Sequence, residues 1–284
     1  MTSIVPQPLI AQLRLLKEGE VSPDVAEWYR SHKWSTRNPD GSSSLLHPEM
    51  IVSEARIFWS QQGEDLEVYI DYFKDRDVAD GLYMEMGAGE GLAHSNTKFF
   101  EDSEGFRGIL VEPNPTAFET LVQYRNSGRN YLIHGAVGEE VGVCQLCVDG
   151  RENHRSFVQG DLIAELESTH LPATTDVVEV PRYPLTHIVA SAKAPYIDVF
   201  FLDVEGSELA VLKGWDWSIP IYVMVIEMFD SATDPKTLQQ YEEIREILRN
   251  QGYIFNKQHS SNEIWHLPVY RDGRPMLMRE WENE

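Results

Sequence analysis

Cysteine is nearly absent: the 284 residues include two, Cys144 and Cys147. Two thiols cannot build a disulfide framework, and no second pair exists to complete a zinc site. They form a Cys-x-x-Cys in VGVCQLCVDG, whose alternation reads as a strand with residues three apart on opposite faces. Two reduced thiols in a strand is the simpler reading, against a redox pair or half a metal site. Positive charge is also scarce, since 24 Lys and Arg stand against 46 Asp and Glu for a formal charge of −22. With no basic cluster, such a surface repels phosphate backbones and anionic lipid, so neither nucleic acid nor membrane is expected as a partner. Long apolar runs are missing too. The longest, Ile219 to Ile226, is far too short to span a bilayer, and the opening MTSIVPQPL lacks the basic-then-apolar order of a signal peptide. The expectation is a soluble, cytoplasmic protein.

What is present is enough apolar material, 42% of residues, for one large core or one core with a modest appendage. From Pro6 to about Lys33 the spacing of Leu9, Leu13 and Leu16 predicts a helix, and the Ser-, Asn-, Pro- and Gly-rich segment from Trp34 to Glu49 reads as an ordered loop or a lid. Residues 1–50 are therefore expected to form a helical extension, and 51–284 the main domain. A second helical region, Ile51 to Phe73, is interrupted by SQQGEDL. After it, short apolar runs alternate with helix-length segments, which argues for parallel βαβ units and a doubly wound α/β sheet. The last two runs, GYIFNK and EIWHLP, are too close together for a helical crossover and must be antiparallel if they pair. Arg151 to Pro181 carries few regular signals and reads as an insertion.

Four of the apolar runs end in a carboxylate: Glu85 after LYM, Glu112 after GILV, Asp203 after VFFL and Glu227 in VIEM. Acids at the carboxyl ends of strands are where an α/β sheet meets its ligands. Glu85 opens Glu-Met-Gly-Ala-Gly-Glu-Gly91, whose glycines permit a tight turn and close approach of backbone amides to a ligand. The third glycine of a dinucleotide fingerprint is missing. Glu112 is placed either to accept the two hydroxyls of a ribose or merely to precede a helix-capping turn at Asn114 and Pro115. Asp203 and Glu205 flank one turn, where two acids persist mainly when a cation, metal or proton offsets them. Ser207 is placed to cap the next helix, with Glu208 in its first turn. Asp203 and Glu227 can converge over one pocket as a site for Mg²⁺ or Mn²⁺, or as a polar pair that binds substrate. His259, expected in the loop between the last two strands, is a candidate base, although a lone loop histidine is more often simply solvated. His187 and His266 lie in apolar contexts and read as packing residues.

Taken together, SQQGED from Ser60, MGAGEG, HSNTKFFE from His94, GFRGILVEPNP ending at Pro115, HGAVG and FLDVEGSELAVLKG resemble the FkbM-type S-adenosylmethionine-dependent methyltransferases. The resemblance spans most of Ser60 to Pro268. It implies a Rossmann-like methyltransferase fold, a seven-stranded and mostly parallel sheet with one antiparallel strand. It also implies that Gly87, Ala88, Gly89 and Glu90, after Glu85, wrap the methionine half of S-adenosylmethionine. Glu112 would hold its ribose, Pro113 and Asn114 its adenosine side, and Ala136 and Val137 would lie near adenine. Asn96 and Gln61 would contact its amino-acid end. Asp203 becomes the leading catalytic or metal-binding acid, Glu227 its partner, and Glu205 lies near the cofactor. Such enzymes typically methylate a hydroxyl, often on a sugar or polyketide-like product, so a small-molecule or glycan acceptor is expected. Two rivals stand beside this reading. A nicotinamide-dependent oxidoreductase is disfavoured by the glycine pattern and the lack of a Tyr-x-x-x-Lys pair, and a non-catalytic cofactor-binding module would use the same site without turnover.

Overall fold

The computed structural model describes residues 35–37, 43–45, 58–92, 94–149, 156–158, 175–229 and 232–277. The helix expected over Pro6–Lys33 lies outside them. Thirteen strands and six α-helices are assigned to these residues. Strands β1 (Ser35–Arg37) and β2 (Ser43–Leu45) are followed by α1 (Glu64–Val68), which continues into one π-helical turn, Tyr69–Phe73. Next come β3 (Leu82–Met86), α2 (Lys98–Asp102), β4 (Arg107–Glu112), α3 (Pro115–Arg125), β5 (Asn130–His134) and β6 (Ala136–Val137). The sequence continues through β7 (Gly142–Asp149), β8 (Ser156–Val158), β9 (Thr175–Tyr183) and α4 (Leu185–Ser191). Last are β10 (Ile197–Leu202), α5 (Glu208–Lys213), β11 (Ile221–Glu227), α6 (Pro235–Asn250), β12 (Ile254–His259) and β13 (Asn262–His266).

The main sheet has the order β2-β1-β12-β13-β11-β10-β3-β4-β5. From β12 to β5, six strands share one direction and β13 alone opposes them, pairing antiparallel with both β11 and β12. This is the expected seven-stranded Rossmann-like sheet. The segment expected as a loop or lid instead contributes β1 and β2, an antiparallel pair that extends the sheet beyond β12. Register explains why the runs read as continuously apolar: both faces are covered. Met84, Met86, Ile109, Val111, Phe200, Leu202, Met224 and Ile226 enter one core with residues of α4, α5 and α6. Tyr83, Leu110, Val199, Phe201, Val223, Val225 and Ile264 enter the other, with Tyr69, Phe73, Phe99 and Leu121.

A second, four-stranded sheet, β6-β9-β7-β8, grows from the strand after β5. Its long β9 begins inside the stretch expected to be irregular, where Thr175–Tyr183 pairs along the whole of β7. Cys144 and Cys147 sit on β7 outside any disulfide, one half-buried and one buried. No helix among the described residues is long and apolar enough to cross a membrane.

Candidate functional site

The glycine turn after β3 is fixed by backbone. Gly87 and Ala88 donate to the carbonyl of Val111, while Asp203 donates to that of Met86. Gly87 has φ +79°, and a Cβ there would lie 2.0 Å from the Asp203 carbonyl oxygen, so only glycine lets the turn sit against the end of β10. Gly89, at φ +53°, has nothing within 4 Å of where a Cβ would be. One glycine is thus demanded by crowding, and the other borders open space at the sheet's carboxyl end.

Glu112 closes this turn from the neighbouring strand. Its Oε2 accepts from the Gly89 amide at 2.7 Å and its Oε1 from the Asn114 amide at 2.7 Å. Each oxygen keeps a lone pair for a further donor. Burial raises its pKa to about 7 despite those two amides. Asn114 caps α3 through Thr116 and Ala117, so the capping turn and the ligand-facing carboxylate coexist. The His134 ring, stacked on Phe118, meets the Pro113 carbonyl at 3.1 Å, and Ala136 and Val137 are buried beyond it.

Glu85 behaves differently from the expected cofactor ligand. Its Oε1 accepts from the Asn96 amide (2.7 Å), and its Oε2 from Ser95 Oγ (3.0 Å) and Thr97 Oγ1 (2.5 Å). Its oxygens are occupied in shaping the segment that follows the glycine turn. From α3, the buried Arg125 grips the same segment: it donates to the Gly91 carbonyl, Ser95 Oγ, Thr97 Oγ1 and Tyr83 Oη, and its Nε pairs with Glu101 at 2.5 Å. Sequence reading did not identify Arg125, because a basic residue in the last turn of a helix looks like an ordinary complement to the helix dipole.

One row of paired positions crosses the sheet tip. Leu202 pairs with Met86 and with Ile226, which sets Gly87, Asp203 and Glu227 abreast. Glu227 then pairs with Asn262, and Asn262 with His259. Directly paired residues share a face, so Asp203, Glu227, Asn262 and His259 project to the side occupied by α1. There Glu64 accepts from Asn262 Nδ2 (3.1 Å) and from the Gln62 amide (3.0 Å). His259 therefore belongs to a strand end and is fully buried, not a loop residue; its Nε2 lies 2.8 Å from the Gln62 carbonyl. Gln61 is exposed beside it, and the adjoining Ser60 bridges to His94 after the glycine turn.

Asp203 and Glu227 are half-buried and hydrogen-bonded to each other. Burial raises both pKa values; the Glu208 charge further raises that of Asp203, and the Asp203 charge that of Glu227. A hydrogen bond between two carboxyl groups requires one proton shared by the pair. Glu205, in a left-handed conformation at φ 53°, adds its charge to Glu227. Glu208 is structural: it accepts from the Val204 and Gly206 amides, closing the turn, and burial raises its pKa to about 7. Ser207 holds the N-cap position without a side-chain cap bond. The expected cation site does not fit. Among the described residues no three His, Cys, Asp or Glu side chains are gathered as metal ligands, and the two acids offset each other with a proton. His187 stacks on Tyr183, and His266 is buried against Tyr72.

These raised carboxylates make stability depend on pH. An acid whose folded pKa exceeds its unfolded value binds more protons when folded, so its stabilisation is complete below the unfolded pKa and is lost as pH rises through the folded one. Asp65, Glu112 and Glu208, each raised to about 7 chiefly by burial, place that loss between about pH 4 and pH 7. Glu101 and Asp272, held low by arginines against the effect of burial, act below this window. The ligand-free protein should therefore melt lower at pH 8 than at pH 5, by roughly 3 °C or more. Scanning calorimetry checks this, and an equal or higher melting temperature at pH 8 contradicts it.

A family model described as the methyltransferase FkbM domain matches residues 85–255, more than half of the chain. No curated protein matches the chain. Among solved structures, the methyltransferase FkbM of Methylobacillus flagellatus KT aligns at 18% identity and TM-score 0.42, covering 70% of this chain and 47% of that one. The chain thus spans about half the length of that relative. A putative caffeoyl-CoA O-methyltransferase from Staphylococcus aureus aligns at 11% identity and TM-score 0.42, covering 91% and 98%. The METTL16 MTase domain aligns at 12% identity and TM-score 0.42, covering 90% and 92%.

Proposed function

Because the chain belongs to the FkbM methyltransferase family, we propose that it is a cytoplasmic S-adenosylmethionine-dependent O-methyltransferase acting on a hydroxyl of a sugar or related polyhydroxyl metabolite. The observation that carries this reading is the row at the sheet tip. A glycine turn bordering open space and closed by a buried carboxylate stands abreast of a proton-sharing acid pair.

The residues present fit the cofactor. Glu112, anchored on two amides with lone pairs to spare, would accept the ribose hydroxyls, and Pro113, Asn114, Ala136 and Val137 border the adenosine side. Gly87 to Glu90 would line the methionine half, with Asn96 and Gln61 toward its amino-acid end. Glu85 and Arg125 act one step removed, by holding the segment from Gly91 to Thr97.

When bound, S-adenosylmethionine supplies a methyl group already activated on a sulfonium centre. The protein's task is to align an acceptor oxygen and remove its proton. Alignment contributes up to about 7 to 11 kcal/mol in favourable cases. Asp203 Oδ is the proton acceptor: its raised pKa brings it toward the working pH, where a general base is most effective. Glu227, keeping the other proton, orients Asp203 and limits its charge until the acceptor's proton arrives.

Glu112→Ala should weaken cofactor binding by about 1 to 3 kcal/mol, the cost of deleting a buried charged hydrogen-bond partner. Titration calorimetry with S-adenosylhomocysteine measures it. Unchanged affinity would remove Glu112 from the ribose site.

A further inference from the structure

Phe229 is an exposed aromatic residue just past the acid pair. It lies two positions beyond Glu227, the last residue of β11, so the two Cα atoms are at most about 7 Å apart. The residue is 46% exposed. A single exposed hydrophobe is ordinary on a protein surface, but the backbone carrying this one is held on every side. The Met228 amide donates to the Ser261 carbonyl (2.7 Å), and the Met228 carbonyl accepts from Gln258 Nε2 (3.1 Å). The Phe229 amide donates to Tyr241 Oη (3.2 Å), and its carbonyl accepts from the Ala232 amide (3.2 Å). Tyr241 is buried on α6. Burial raises its pKa to about 12, and the charges of Glu208 and Glu227 add to the rise, which sets this anchoring hydroxyl beside the same acids.

The direction of the Phe229 ring follows from alternation along the strand. Met224, Ile226 and Met228 enter the core shared with α6, whereas Val223 and Val225 enter the opposite one. The chain makes no turn at Met228 or Phe229. Since successive side chains point to opposite faces, Glu227 and Phe229 continue the row of Val223 and Val225, on the side to which Asp203 projects. An open apolar ring thus borders the pair of acids at the ligand end of the sheet.

We infer that Phe229 is the platform for the acceptor, its ring stacking on the C–H face of a sugar whose hydroxyl edge meets Asp203. A sugar ring combines the two surfaces required, hydroxyls around its rim and C–H bonds across a face. Phe229 is then a binding group, and proton removal stays with Asp203. This role rests on the proposed methyl transfer, so its test reads the acceptor and the cofactor separately.

The experiment uses the full chain, labelled S-adenosylmethionine, and methyl glucoside, methyl galactoside and methyl rhamnoside as acceptors, with titration calorimetry of S-adenosylhomocysteine alongside. At least one glycoside should be methylated. Phe229→Ala should raise the KM of that glycoside about tenfold, the order of one aromatic stacking contact. Its kcat should stay within twofold, because a stacked ring holds ground state and transition state alike. Phe229→Tyr should bring KM back to within twofold of the parent, a rescue that needs an aromatic face, and S-adenosylhomocysteine affinity should stay within twofold in both variants. The platform is overturned, and the cofactor reading stands, if S-adenosylhomocysteine binds but no glycoside is methylated. It is equally overturned if Phe229→Ala leaves KM unchanged or lowers kcat alone, or if Phe229→Tyr fails to rescue. If S-adenosylhomocysteine does not bind, the functional reading falls and this inference with it.

Discussion

Asp203→Asn should lower kcat by about 10²- to 10⁴-fold, the range supplied by a positioned proton acceptor, with cofactor affinity within a few-fold of the parent. The amide has nearly the shape of the carboxylate and can still accept from Glu227, but it cannot take the acceptor's proton. The backbone carbonyl of residue 203, which abuts the glycine turn, is untouched, so the cofactor's seat is preserved. Glu227→Gln is the informative companion: it keeps a donor toward Asp203 and should retain far more activity. Transfer of a labelled methyl group to a hydroxylated acceptor measures both. Full turnover by Asp203→Asn would remove that residue from the chemistry, and equal loss in the two variants would mean that Glu227 does more than orient its neighbour.

Arg125→Met should lower the melting temperature by about 10 °C, because breaking one side of a buried ion pair costs about 3 to 5 kcal/mol. The guanidinium has no exposed surface and serves five partners. Methionine fills comparable volume but leaves Glu101 uncompensated and Glu85 without the nearby positive charge that opposes the effect of burial. Because two of those partners, Ser95 and Thr97, also hold Glu85, the variant should bind the cofactor more weakly even at temperatures where it is fully folded. Thermal denaturation together with titration at 15 °C checks both parts. A shift of under 3 °C would show that the network is dispensable.

The strand ends were legible because covered strands must be apolar and must stop. Glu85, Glu112, Asp203 and Glu227 are the first charges to follow the apolar runs LYM, GILV, VFFL and IYVMVI. What escaped reading depends on partners far along the chain. Glu85 looked like a ligand residue until Ser95, Asn96 and Thr97 closed over it. Polar residues before His259 make a loop the expectation there, yet β12 continues through Asn256, Lys257 and Gln258, which are satisfied by α1, the π-helical turn and the carbonyl of Met228. The pairing of β1 with β12 had no local signal, since three-residue strands of Ser, Thr and Arg carry no periodicity. Membership in the family was readable from motifs. The pairing that sets Asp203 beside Glu227 follows from the order of strands, which no single segment encodes.

Gly87 rests on the carbonyl of Asp203 with no side chain between them. Under the proposed reading, the distance from a methyl donor seated on the glycine turn to the Asp203 carboxylate would be set along two abutting peptide units, not through rotamers that thermal motion can reshuffle. Tolerances in the reaction are inherited from the hydrogen-bonded ladder beneath, and a library of replacements at that one glycine should return almost nothing that works.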